Sequence, residues 1–133
     1  MKTNQKRKLK VKTKKLVNSF KYAIQGIIAS FQTERNMKLH VLAMILVILL
    51  GFIVKLSRLE WEICIILFAM IISGELFNTA IETTVDIAMP QKNEKAKLAK
   101  DVSAGAVLII AIGSLIIGII IFMPKIMEIL KIN

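Results

Sequence analysis

The sequence predicts an all-α integral membrane protein: an amphipathic surface helix followed by three transmembrane helices. Two observations carry that prediction. The 133 residues are 56% hydrophobic, and the apolar residues gather into three runs of the order of 20 residues, the length that spans hydrocarbon. The charge is just as uneven. Of 19 lysines and arginines in a chain of net charge +10, only Lys55, Arg58, Lys125 and Lys131 lie outside residues 1–38 and 91–100. Positive segments stay on the cytoplasmic side, so this asymmetry predicts a cytoplasmic N-terminus. Because the basic segments flank apolar spans, they suit anionic headgroups, and nucleic acid is not an expected partner. The single cysteine, Cys64, lies in an apolar run; it is expected to be a buried small hydrophobe, and no disulfide can form within the chain.

Residues 1–15 read as a basic tail, disordered or lying on headgroups. A single membrane domain, residues 16–133, follows. Over residues 16–33, Leu16, Phe20, Ala23, Ile24, Ile27, Ile28 and Phe31 share one side at helical spacing. That pattern predicts a helix in the membrane interface. Thr33 to Lys38 is a polar hinge. The first span is expected at about residues 39–55, with His40 near its start as a packing or headgroup residue. The second is expected at about 61–89, from the interfacial Trp61 to Pro90, which stops it. Residues 91–100 form a charged connection. The third span is expected at 102–123, closed by Pro124, with Ser114 and Gly118 as a small pair permitting close helix contact.

The second span carries an unusual polar stripe. At about 100° per residue, Glu75, Asn78, Glu82 and Asp86 fall within roughly 80° of one another. Three alternating spans bring Glu34, this stripe, Lys100 and Asp101 to one membrane face. Carboxylates and an amide there suit a hard cation and phosphate oxygens; magnesium in particular is held by one or two carboxylates plus phosphates. The chain has no cysteine–histidine set for zinc, no P-loop and no protein-kinase signature. A carboxylate at membrane depth beside others near water suggests a division of labour: Glu75 taking a proton from a lipid hydroxyl, Glu82 and Glu34 holding magnesium, and Lys100 neutralising phosphate charge. Two other readings stand beside it. The acids can pair with lysines to hold helices together, or they can relay protons in a small proton-coupled transporter.

The element Glu75-Leu-Phe-Asn78-Thr-Ala-Ile-Glu82-x-x-x-Asp86, with Ala99-Lys100-Asp101 before Ala104-Gly105-Ala106-Val107 and the upstream Glu34-Arg35-Asn36, resembles the small prokaryotic membrane diacylglycerol kinase family. Thr33-Glu34-Arg35-Asn36 and the Phe122-Met-Pro-Lys125 ending of the third span resemble most its Gram-positive undecaprenol kinase branch. The resemblance covers about residues 16–125. It implies a homotrimer in the bacterial cell membrane, with active sites between subunits on the cytoplasmic side, acting on Mg-ATP. It implies transfer of the γ-phosphate to a lipid hydroxyl, with undecaprenol the preferred acceptor and diacylglycerol the alternative. By matching position, Glu75 is the catalytic base and Asn78 supports it. Glu34 and Glu82 are the magnesium ligands at the nucleotide. Lys15, Tyr22, Lys100 and Asp101 engage the nucleotide; Lys15 stands where the family has arginine, which removes the bidentate fork. Gln91-Lys92-Asn93 occupies a nucleotide-contacting loop with different residues. For Asp86 the resemblance leaves capping, structural pairing and catalysis open.

Overall fold

A computed structural model describes residues 2–131, with side chains from Lys12 onward. The described residues form four helices: α1 (Lys2–Thr33), α2 (Arg35–Ile53), α3 (Arg58–Ala88) and α4 (Glu94–Ile129). They divide into two compact units, one ending at Glu34 and one beginning at Arg35.

In the first unit the expected surface helix is longer than its amphipathic stripe. Of the two readings of residues 1–15, the disordered one does not hold for the described backbone, which is helical from Lys2. Lysine is a good helix former, and no glycine or proline interrupts the segment; Met1 lies outside the described residues. Leu16, Phe20, Ile24 and Ile27 are exposed. The helix ends where the Thr33 hydroxyl bonds back to the Ala29 carbonyl at 3.0 Å, and Glu34 leaves the helical path while its N–H still donates to the Ser30 carbonyl at 2.8 Å. The hinge is thus one residue rather than the six of Thr33 to Lys38.

In the second unit, α2, α3 and α4 are each long and apolar enough to cross a membrane. The first span starts at Arg35, four residues before Leu39. Its 19 residues cover ~28 Å, close to the ~30 Å of hydrocarbon. It ends in a Schellman turn, in which Leu56 N–H donates to the Gly51 carbonyl and Lys55 N–H to the Phe52 carbonyl. Lys55 takes the left-handed conformation, with φ of 54°. Helix α3 then opens on a capping box: Ser57 Oγ accepts from Glu60 N–H while Glu60 accepts from Ser57 N–H at 2.6 Å. It stops at Ala88, before Pro90, as expected. Asn93 caps α4 by accepting from the N–H groups of Lys95 and Ala96.

Pro124 does not close the third span. Helix α4 runs through it to Ile129. Proline removes only the bond to the Ile120 carbonyl, and membrane helices tolerate that loss. The continuation matters, because it carries Lys125 to within 3.1 Å of Glu60 and so ties the end of α4 to the start of α3.

The packing is concentrated at that end of the bundle. Val54, Leu56, Cys64 and Phe122 form a buried cluster, and Cys64 is the small buried hydrophobe expected. Gly51 permits it, since a Cβ there would lie 2.8 Å from the Trp61 ring and 2.9 Å from Leu56. The Phe52 and Trp61 rings sit 5.0 Å apart beside it. The close α3–α4 contact falls at Gly74, where a Cβ would meet Ile110 at 3.1 Å. It does not fall at Gly118, where a Cβ would meet nothing within 4 Å. Ser114 spends its hydroxyl on its own helix, donating to the Ile110 carbonyl at 2.8 Å.

Candidate active site

The antiparallel run of α2, α3 and α4 places the start of α2, the end of α3 and the start of α4 at the opposite end from the Trp61 cluster. The polar stripe of α3 lies there, over about 16 Å from Glu75 to Asp86. Three cross-helix contacts fix it, and each uses a different member of the stripe.

The deepest is Glu75, whose side chain is 2% exposed. His40 Nε2 lies 3.1 Å from its Oε1, an α2-to-α3 contact. A carboxylate so enclosed requires polar partners, because burial without them is costly. One turn on, Asn78 is buried as well. Its Nδ2 donates to Glu82 Oε1 at 3.2 Å, which turns its Oδ1 toward α4, and there Ser103 Oγ stands at 2.6 Å. The Lys100 carbonyl is also 2.8 Å from Ser103 Oγ. Both oxygens only accept, so the Ser103 hydroxyl proton is shared between them, and the shorter of the two contacts is to Asn78. The chain Ser103 to Asn78 to Glu82 thus orients a half-buried carboxylate from the neighbouring helix. Further out, Lys100 Nζ contacts both oxygens of Asp86, at 2.9 and 3.1 Å.

The expected site residues therefore divide. Glu75, Asn78, Glu82, Asp86 and Lys100 come together on α3 and α4. Asp101 is exposed at the start of α4, beside a polar cleft of about 640 Å³ lined by Asp86, Lys92, Asn93, Lys97, Lys100 and Asp101. That cleft is where the Gln91-Lys92-Asn93 loop sits. Lys15 and Tyr22 lie two turns apart on α1, and Glu34 ends the same unit. The pairing of acids with lysines to hold helices describes Asp86 and Lys100 and leaves the Glu75 and Glu82 contacts to His40 and Asn78.

Two residues of the site escape the sequence reading. His40 is expected to pack or meet headgroups, yet it faces Glu75. Ser103 sits inside the quoted motif, one turn after Lys100, without a role. A polar side chain on the inward face of an apolar span was the available signal in both cases.

Beside His40 the three helices border a partly open apolar cavity of about 430 Å³. It begins at His40 and runs along Met44, Val47, Phe68 and Leu115 to Ile126. His40 both lines this cavity and touches Glu75, so the buried carboxylate lies one side-chain contact from the apolar groove, with carboxylates, an amide and a lysine between it and the membrane face.

The motif that holds this arrangement extends across the chain: the model of prokaryotic diacylglycerol kinase matches residues 21–122. The chain belongs to the prokaryotic diacylglycerol kinase family. It is 47% identical over 107 residues to the undecaprenol kinase of Bacillus subtilis (strain 168), across 80% of this chain and 87% of that protein. It is 34% identical over 116 residues to the diacylglycerol kinase of Synechocystis, across 86% of this chain and 66% of that protein. The diacylglycerol kinase of Pseudomonas aeruginosa is 31% identical over 93 residues, across 70% of this chain and 76% of that protein. Every residue of the α3 stripe, and Ser103 with it, falls within the family match.

Proposed function

We propose that this chain is a membrane lipid kinase that moves the γ-phosphate of ATP onto the hydroxyl of a lipid, with undecaprenol the preferred acceptor. The observation that carries the proposal is Glu75, buried and in contact with His40, which lines an apolar cavity, in a member of a lipid kinase family. Undecaprenol is preferred because the relative with 47% identity is named for it. Diacylglycerol is the competing acceptor, because the other relatives described above are named for that lipid.

In the proposed mechanism the Glu75 carboxylate accepts the proton of the lipid hydroxyl as the hydroxyl oxygen bonds to the γ-phosphorus. The bond from that phosphorus to the β–γ bridging oxygen breaks, and ADP leaves with the electron pair. Phosphoryl transfer depends on positioning and charge stabilisation more than on covalent steps. Asn78 fixes Glu82, and the Lys100 ammonium, shared with Asp86, supplies positive charge beside the polar cleft. Lys15, Tyr22 and Asp101 are carried as nucleotide contacts by the family resemblance.

The donor set fits magnesium. Glu82 is a half-buried carboxylate held by the Asn78 amide. Magnesium is typically held by one or two carboxylates together with substrate phosphates. Glu82 would be one such ligand, and Glu34 would be the second by the resemblance alone. When bound, the ion would neutralise charge on the β- and γ-phosphates. The same resemblance proposes a homotrimer with sites between subunits. The lysine asymmetry proposes that the N-terminus and the site face the cytoplasm.

The test is incubation of purified protein with Mg-ATP and each lipid in turn. Undecaprenol is expected to give undecaprenyl phosphate at a higher kcat/KM than diacylglycerol gives phosphatidic acid. No phosphorylated lipid from either would end the proposal.

A further inference from the structure

The apolar cavity has a wall on α2 made by Ala43, Met44, Val47 and Leu50, and His40 continues that stripe one turn toward the membrane face. The hydroxyl of Ser114, which also lines the cavity, donates to the Ile110 carbonyl of its own helix. His40 is therefore the polar group that α2 presents at the cavity head, and its Nε2 is 3.1 Å from Glu75 Oε1. A residue needed only to fill that corner would be apolar, like its four neighbours on the stripe. A residue needed only to staple α2 to α3 would not have to border both the cavity and the buried carboxylate.

We propose that His40 is a positioning residue for Glu75. It holds the carboxylate by one oxygen at the point where a lipid hydroxyl emerges from the apolar cavity. The inference deepens the kinase reading and rests on it. With Glu75 ionised, as the proposed base must be, the Nε2–H of His40 donates and the carboxylate accepts. The bond fixes rotation of the carboxylate about its last side-chain torsion, which is otherwise broad. The base then meets the acceptor hydroxyl in one orientation, and a small misplacement at a reacting group lowers rate steeply. His40 acts through Glu75 and exchanges no proton with the substrate.

Two substitutions separate this role from packing. Gln presents its amide Nε2 at nearly the same reach as the imidazole Nε2, whereas Leu fills the space without a donor. His40→Leu is expected to lower kcat for lipid phosphorylation by ~10- to 100-fold, with the KM for Mg-ATP within about twofold of wild type. His40→Gln is expected to restore kcat to within about fivefold. Because the chain has one histidine, ¹⁵N labelling of histidine gives a single imidazole. Its Nε2 resonance in detergent micelles is expected to move on Glu75→Gln, which a merely space-filling ring would not do. A His40→Leu protein with wild-type kcat would overturn the inference, as would equal losses in the Leu and Gln variants. An Nε2 resonance indifferent to Glu75→Gln would overturn it also. No lipid phosphorylation by the wild-type protein would overturn the kinase reading and the role of His40 with it. Activity that His40→Leu leaves intact would overturn the role alone.

Discussion

Ser103→Ala is the most informative perturbation of the site that leaves every proposed chemical group in place. The Ser103 hydroxyl donates to Asn78 Oδ1 at 2.6 Å, and Asn78 donates in turn to Glu82 Oε1 at 3.2 Å. Ser103 and Asn78 are both buried. Removing the hydroxyl leaves the amide oxygen without that donor inside the bundle, a loss of about 1–3 kcal/mol when water cannot enter. Part of it appears as lower stability. The rest appears as freedom of Asn78 to turn away from Glu82, which loosens the proposed magnesium ligand. If about 1.4 kcal/mol falls on the bound state, the KM for Mg-ATP rises roughly tenfold. The assay is initial rate against Mg-ATP at saturating lipid, with thermal unfolding in the same detergent. Ser103→Thr keeps the hydroxyl and is expected to retain most of both properties. A double-mutant cycle with Asn78→Ala should show coupling of at least about 0.5 kcal/mol in stability, as groups in direct contact do. Unchanged stability together with an unchanged KM in Ser103→Ala would refute the chain of contacts as an orienting device.

Other perturbations have equally definite outcomes. Asp86→Asn should alter stability little, since the carboxylate is exposed, but should change the KM for ATP, because the charge on Lys100 is no longer shared with a neighbouring anion; an unchanged KM would remove Lys100 from the phosphate site. Gly51→Ala should destabilise by about 1–3 kcal/mol, because the new Cβ must displace the rigid Trp61 ring, and a variant with wild-type unfolding would contradict the packing at that end. Lys55→Gly should stabilise by about 1 kcal/mol, since φ of 54° suits glycine at the residue after the helix cap; a fall in unfolding temperature would contradict the turn. Chelation of divalent ions should abolish lipid phosphorylation and magnesium should restore it, whereas activity persisting in excess chelator would exclude the metal role of Glu82.

Much of this was legible because polar residues in apolar helices are conspicuous. The stripe from Glu75 to Asp86 shows on a helical wheel, and three alternating spans bring it level with Lys100. The family motif lies in the same residues. Boundaries were less visible where local chemistry competed with composition. Lysines suggested a loose tail over residues 1–15, but they are good helix formers and the described backbone is helical from Lys2. Pro124 suggested a stop, but one missing hydrogen bond is tolerable in a long membrane helix, and Lys125 beyond it reaches Glu60. The partnering of the site was the least visible. That Lys100 meets Asp86 depends on how α3 and α4 align in depth. That His40 meets Glu75 depends on the rotation of α2 about its own axis. Ser114 and Gly118 offered a packing motif, while the close approach falls at Gly74, where the facing side chain decides it.

The central claim is that a buried carboxylate on α3 deprotonates a lipid hydroxyl brought to it through an apolar cavity. The most direct measurement is transfer of label from γ-labelled ATP to undecaprenol by wild-type protein and by Glu75→Gln, with ATP affinity measured in parallel. The claim predicts labelled undecaprenyl phosphate from the wild type and a kcat at least ~100-fold lower in Glu75→Gln at nearly unchanged ATP affinity. A Glu75→Gln protein that phosphorylates undecaprenol at the wild-type rate would contradict it.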